Sequence, residues 1–204
     1  KFLFIISLLS TILIFLAEPN RPDSGLYHFP IINLINEHKI IVGVTNISWN
    51  FGLSSILQYL QAISNNYLTN TNGMLLPLSI LPATIVLYFF SEILKQTKKN
   101  KVNKVYILFL FFSLIFFTYK MNRYGAYGND YVGHYLIFLL FSFILKYKNK
   151  VKFDLVYLYS IFIFLNKIIF FNILFLPLIL IFKKFRKEKI IKKTNIFSTF
   201  FLLF

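Results

Sequence analysis

Three groups of residues in the 204-residue chain have side chains able to move protons, bind cations or grip phosphate. The first lies in EPNRPDSGLYHFPIINLINEHK, Glu18 to Lys39, which follows an apolar run and brings Asp23 and His28 close together. A carboxylate beside a histidine at a membrane surface can take a proton, or bind a cation presented to a lipid-linked substrate. The same stretch reads as an amphipathic helix lying on the membrane. Ile31, Leu34 and Ile35 fall on one side and Asn33, Asn36 and Glu37 on the other, with Pro30 in the first turn or kinking it. In a purely structural reading, Asp23 or Ser24 caps this helix by accepting backbone N–H bonds.

The second group is RYGAYGNDYVGH, Arg123 to His134. Asp130 and His134 have i, i+4 spacing at the outer end of an apolar run, hence one helical face. Such a pair can ligate a divalent metal or relay a proton; it can equally be a helix cap and an interfacial histidine. Gly125, Gly128 and Gly133 allow close backbone approach, but phosphate-loop spacing is absent. The third group is Lys167, between two short apolar stretches. It either snorkels to the interface or supplies positive charge for a phosphate or pyrophosphate near the membrane surface.

These groups need a scaffold, and composition names its class. Apolar residues make up 57% of the chain and aromatics 20%, with a mean hydropathy of +0.67. That is the composition of an integral membrane protein. The chain has no cysteine, which excludes disulfides, thiolate metal sites and cysteine nucleophiles. Apolar runs at Phe2–Ala17, Met74–Leu94, Val105–Tyr119 and Tyr131–Leu145 approach the roughly 17 to 25 residues needed to cross a bilayer. Lys1 and the first run lack a small-residue cleavage site, so the run reads as a first transmembrane helix rather than a signal peptide. The start at Lys1 and the apolar run at the end suggest a fragment of a longer polytopic protein.

The block Phe153–Phe182 is too long for one span and is interrupted at Asn166-Lys167. Charge divides it. Lys95, Lys98, Lys99, Lys101 and Lys104 form one cluster; Lys146, Lys148, Lys150 and Lys152 a second; and Lys183, Lys184, Arg186, Lys187, Lys189, Lys192 and Lys193 a third. Basic residues accumulate in cytoplasmic loops, so an even number of crossings must separate the clusters. The expected fold is therefore all-α, a polytopic transmembrane helix bundle that forms the N-terminal part of one membrane domain. Its spans are about 2–17, 74–94, 105–119, 131–145, 153–166 and 168–182, with another starting at 195–204. The loop 18–73 lies outside, with residues 40–64 as one or two interfacial helices and Trp49, Tyr59 and Tyr67 as interfacial aromatics. The net charge of +15 then reports topology and contact with anionic lipid, not nucleic acid.

An acid in a long first outer loop resembles the GT-C superfamily of membrane glycosyltransferases, whose donors are polyprenyl-phosphate sugars. Asp23, Tyr27, His28 and Pro30 are similar to a D-x-x-x-Y-H-x-P signature of bacterial, mostly uncharacterised members. Val42, Gly43, Asn46 and Asn50 to Ser55 are similar to the segment that follows it. Arg123, Tyr127, Gly128 and Asp130 resemble a later R…EYGTD segment, and the break at Lys167 resembles one common in GT-C chains. Ser24 stands where many members carry a second acid.

The resemblance implies an enzyme, a glycosyltransferase of hexosyl or pentosyl groups acting at the outer face of a bacterial inner membrane, with the 18–73 loop periplasmic or extracellular. Asp23 would be general base or metal ligand, and His28 would orient it. Tyr27, Arg123, Asp130, His134 and Lys167 would bind substrate. A divalent metal is a candidate cofactor, with Asp23, Asp130 and His134 as candidate ligands. The implied partners are the lipid bilayer, the lipid-linked donor and a glycan or lipid acceptor. The alternative is a transporter, flippase or polymerase-type subunit for lipid-linked glycans.

Overall fold

The computed structural model describes residues 2–16, 22–38, 41–52, 55–68, 70–99, 103–120, 127–128, 130–147 and 152–187, and among them the only regular structure is helical. Eight α-helices are present: α1 (Phe2–Phe15), α2 (Phe29–His38), α3 (Ile56–Ser64), α4 (Leu76–Thr97), α5 (Lys104–Lys120), α6 (Asp130–Tyr147), α7 (Phe153–Asn166) and α8 (Phe175–Lys187). The stretch Thr71–Thr97, α4 with the 3₁₀ turn before it, is long and apolar enough to cross a membrane. The other expected spans are shorter as helices: α5 has 17 residues, α6 18, α7 14 and α8 13.

Helix α6 is central. Tyr131, Val132, Tyr135, Leu136, Leu139 and Leu140 are buried around it, and it packs against α4, α5 and α7. Two tyrosines tie it to its neighbours through backbone carbonyls. Pro82 inside α4 has no N–H for the carbonyl of Leu78, and the Tyr131 hydroxyl approaches that carbonyl at 3.5 Å. Phe117 belongs to the last turn of α5. The Tyr135 hydroxyl donates to its carbonyl at 3.0 Å.

At the opposite end, Glu92 of α4 is buried, with its side chain 2% exposed, and meets Lys146 of α6 at 2.8 Å and Lys95 at 3.3 Å. The Tyr106 hydroxyl of α5 donates to the same carboxylate at 3.4 Å. The C-terminal ends of α4 and α6 and the N-terminal end of α5, which carry Lys95, Lys146 and Lys104, thus lie together.

The long block divides at Asn166-Lys167. Helix α7 ends at Asn166, and Lys167 is extended, with φ −158° and ψ 129°. The following stretch differs from the expected span at 168–182: Ile168–Leu174 is 3₁₀, and α-helix resumes only at Phe175. Pro177 supplies the reason. A proline is tolerated in the first helical turn but would clash with the preceding turn of a helix running through from residue 168.

The helices of the 18–73 loop, expected at a membrane interface, pack on the protein through their apolar faces. Ile31, Ile32 and Ile35 of α2 are buried in the core, as are Leu57 and Ala62 of α3. The polar side of α2 does not simply face water either. Asn65, just past α3, donates to Asn33 Oδ1 at 3.2 Å, and its carbonyl accepts from Asn36 at 3.2 Å. Residues 44–46 and 49–52 form two short 3₁₀ turns rather than helices.

Candidate functional site

The helix that carries Asp23 has an irregular start. Residues 22–38 are continuously helical, but Ser24–His28 is a π-turn in which the Phe29 N–H reaches the carbonyl of Ser24. Pro30 explains it. Its ring lacks an N–H and would crowd the carbonyl of Leu26, and widening the preceding turn relieves that contact. Asp23 is itself in helical conformation, with φ −56° and ψ −29°, and its side chain makes no capping bond. The capping alternative for Asp23 therefore fails. Its carboxylate is exposed and lies one turn before Tyr27, close enough to act on the phenol.

Tyr27 and His28 pack ring against ring, with centroids 4.3 Å apart. Burial pushes the Tyr27 phenol up, and the negative fields of Asp23 and Asp130 add to the effect. Burial pushes the His28 imidazole below its ordinary value, outweighing the opposite pull of Asp130 and Asp23; Lys167 adds to the lowering. His28 is thus neutral near pH 7, and its Nδ1 is buried with no hydrogen-bond partner.

Asp130 opens α6, and its carboxylate is ion-paired with Lys167, the extended residue after α7. Asp23, Asp130 and Lys167 all act on His28, so the three charges share one neighbourhood. The close passage of the α7 end over α6 requires Gly133. A Cβ there would stand 2.2 Å from Phe170 Cε2 and 3.0 Å from Asn166 Nδ2. Asn166 is 1% exposed, and its Oδ1 accepts from the Ser55 hydroxyl at 3.0 Å. Ser55 in turn caps α3 through a reciprocal pair with Gln58. The outer segment, the α7 break and α6 are thereby locked together beside the charges.

His134 does not join them in the expected way. Its Nδ1 is 2.7 Å from the backbone carbonyl of Asp130, not from the carboxylate, and its ring lies against Phe116 and Phe170. The i, i+4 spacing is satisfied through the main chain because the Asp130 side chain turns to Lys167. Among the described residues no group of three or more histidine and carboxylate side chains is placed to hold a metal ion, so Asp23, Asp130 and His134 do not form the expected ligand set. Arg123 lies outside the described residues.

Sequence reading named Tyr127 only through the R…EYGTD resemblance and gave Gln61 no part in this neighbourhood. Tyr127 is 7% exposed, in left-handed conformation at φ 54°, with its ring edge-on to Phe29. Gln61 Nε2 approaches the Tyr127 carbonyl at 3.5 Å, while its buried Oε1 has no partner. The Ser55-x-x-Gln58 capping signature was readable; the pairing of Ser55 with Asn166 across the chain was not.

A family model matches residues 1–204, the whole chain. The protein belongs to the family described as a domain of unknown function, DUF8201. No curated protein and no solved structure matches it. In this DUF8201 chain the residues brought together come from three separated places, the segment before α2, the N-terminus of α6 and the break after α7. Together they offer two carboxylates, a neutral imidazole and a lysine.

Proposed function

We propose that this chain is a multi-pass membrane glycosyltransferase of GT-C type, using a polyprenyl-phosphate sugar at the outer face of a bacterial inner membrane. The multi-pass reading draws support from the polarity of the helix faces. Val105, Leu108, Phe112, Ile115 and Tyr119 form an exposed apolar stripe on α5, and exposed apolar side chains also line α1 and α8. The interior holds Ser79, Ser113, Ser142 and Ser160. Apolar outside with small polar residues inside suits helices packing in lipid and is the reverse of a water-soluble bundle. At roughly 1.5 Å per residue, α5 and α6 reach about 26 Å, close to the hydrocarbon thickness of about 30 Å. Lysine-rich helix ends gathered at one end suit the cytoplasmic side. The Asp23 neighbourhood then faces out.

The observation that carries the enzymatic reading is the convergence of Asp23, His28, Asp130 and Lys167 beside a proline-imposed π-turn, a distortion frequent at functional sites. In the proposed reaction an acceptor hydroxyl attacks the anomeric carbon. Asp23 takes the hydroxyl proton, the new glycosidic bond forms, and the bond to the polyprenyl phosphate breaks with its electron pair leaving on phosphate. A single displacement of this kind inverts the anomeric centre and needs no second carboxylate as nucleophile. Neutral His28 orients the acceptor or Asp23 through its open nitrogen. Lys167, held by Asp130 in the free protein, moves onto donor phosphate and stabilises the leaving charge.

Membranes containing the protein, incubated with radiolabelled polyprenyl-phosphate hexoses and pentoses, are expected to transfer label to a second lipid or glycan. Asp23→Asn is expected to abolish transfer at equal membrane content. Full transfer by the variant would remove the mechanism, and no transfer by the native protein with any donor would remove the enzymatic reading.

A further inference from the structure

Most of the outer segment is claimed by the protein, but Ile41–Gly52 is an exception. Val42 is 96% exposed, Ile47 67% and Trp49 73%, and no charged residue occurs from Ile41 to Ser64. The segment is nonetheless ordered on itself. The Asn46 N–H donates to the Gly43 carbonyl at 2.9 Å, Ile47 N–H to Val44 at 3.1 Å and Phe51 N–H to Ser48 at 3.0 Å. Gly43 takes φ 77°, which a side chain would strain. At Gly52 the two turns touch: a Cβ there would lie 2.5 Å from Thr45 Cγ2.

We infer that Ile41–Gly52 is a preformed knob that dips into the headgroup layer of the outer leaflet, with Val42, Ile47 and Trp49 as its buried tip. The inference rests on the multi-pass reading above. An unsupported apolar tip is costly in water, whereas at the bilayer interface apolar side chains are shielded and an indole meets both polar and apolar surroundings. The internal bonds of the two turns already pair the Asn46, Ile47, Ser48 and Phe51 N–H groups, and the headgroup layer holds water for the rest. The absence of charge separates this contact from the lysine-rich helix ends. It depends on apolar burial and is indifferent to anionic lipid. Phe51 and Val44 pack against the core, so the knob is fixed to the body that carries Asp23. Its immersion therefore sets the depth of that site relative to the membrane.

Trp49 is the only tryptophan in the chain, which makes the test direct. The full chain is reconstituted in phosphatidylcholine vesicles whose acyl chains are brominated near the headgroup. Trp49 emission is expected to fall by about half, as for an interfacial indole, with little quenching by aqueous acrylamide. Neither result is expected to change with added phosphatidylglycerol or salt. A parallel protein carrying W49F and F112W reports from the exposed face of α5.

Quenching of the α5 reporter by lipid, with Trp49 open to acrylamide and untouched by bromine, would overturn the knob and leave the multi-pass reading standing. Failure of both reporters to meet lipid would overturn both. Shielding of Trp49 from lipid and water alike would mean that protein covers the tip, and would also overturn the proposal.

Discussion

Asp130, the first residue of α6, is ion-paired with Lys167, the single extended residue between α7 and the 3₁₀ turn that follows it. The two side chains remain 54% and 34% exposed. Ion pairs this open to water contribute about 0.2 to 1 kcal/mol, because solvent already satisfies both charges. A pair of such small structural value, placed beside Asp23 and His28, is better explained by what it does to a bound molecule.

Asp130→Asn and Lys167→Met should each leave the thermal midpoint of the purified protein near that of the wild type, a cost below about 1 kcal/mol. In the proposed reaction Lys167→Met should lower sugar transfer by about 100-fold, the usual loss when one electrostatic contact to developing charge is removed, and Asp130→Asn, which removes only the resting partner of Lys167, should lower it less. Parallel measurement of midpoint and rate decides the matter. Stability losses as severe as the rate losses would assign the pair to folding instead.

Pro30→Ala should restore a regular helix through residues 22–38, since the new N–H can bond to the Leu26 carbonyl and the π-turn loses its cause. Removing the extra residue of that turn rotates Asp23 by about 100° relative to Ile31, Ile32 and Ile35. Those isoleucines are held by the core, so Asp23 is the part that moves. Thermal stability should hold or rise while transfer falls steeply. Retained transfer would show that the widened turn is dispensable.

Local and long-range features differed in how far the sequence disclosed them. The break at Asn166-Lys167 was legible because an apolar block of about 30 residues is longer than one span needs and carries an Asn-Lys interruption, and the spacing of the lysine clusters pointed to two segments there. The helical character of the chain was legible for the same reason. Asp23 read as a cap because capping signatures assume an α-helical first turn, and the effect of Pro30 several residues downstream falls outside them. Asp130 and His134 read as partners because spacing gives a shared face but not a rotamer; a lysine far along the chain took the carboxylate. The apolar faces of α2 and α3 were visible as stripes. Whether lipid or protein would cover them depends on contacts between distant segments, which no local pattern encodes.

His28 predicts an acid limb in stability. Its native pKa lies below the ordinary value of 6.5, so the unfolded chain binds a proton first as the pH falls. The contribution of neutral His28 is then complete above 6.5 and is lost as the pH falls through 6.5 towards the native value. The thermal midpoint in detergent should drop across that window. His28→Asn, which cannot titrate, should flatten the drop while leaving the dependence due to other groups. An unchanged slope in the variant would show that His28 is not the group responsible.

Glu92 and Lys146 allow a sharper separation of pairing from burial. The Glu92 side chain is 2% exposed and that of Lys146 25%. Glu92→Gln removes the charge that holds Lys146, Lys95 and the Tyr106 hydroxyl. Breaking one side of a buried pair costs several kcal/mol because the remaining charge is left in a poor solvent. Lys146 can still reach water along its stem, which trims the expected loss to about 2 kcal/mol. The double substitution Glu92→Leu with Lys146→Leu removes both charges and supplies apolar volume, so it should recover most of that loss. Unfolding midpoints for Glu92→Leu, Lys146→Leu and the double form a complete cycle, with a coupling of about 1 to 3 kcal/mol expected for residues in contact. Additive losses would mean that the ends of α4 and α6 are held by packing alone. A large coupling would identify this ion pair as the clamp that gathers the lysine-bearing ends of α4, α5 and α6, at the opposite end of the bundle from Asp23.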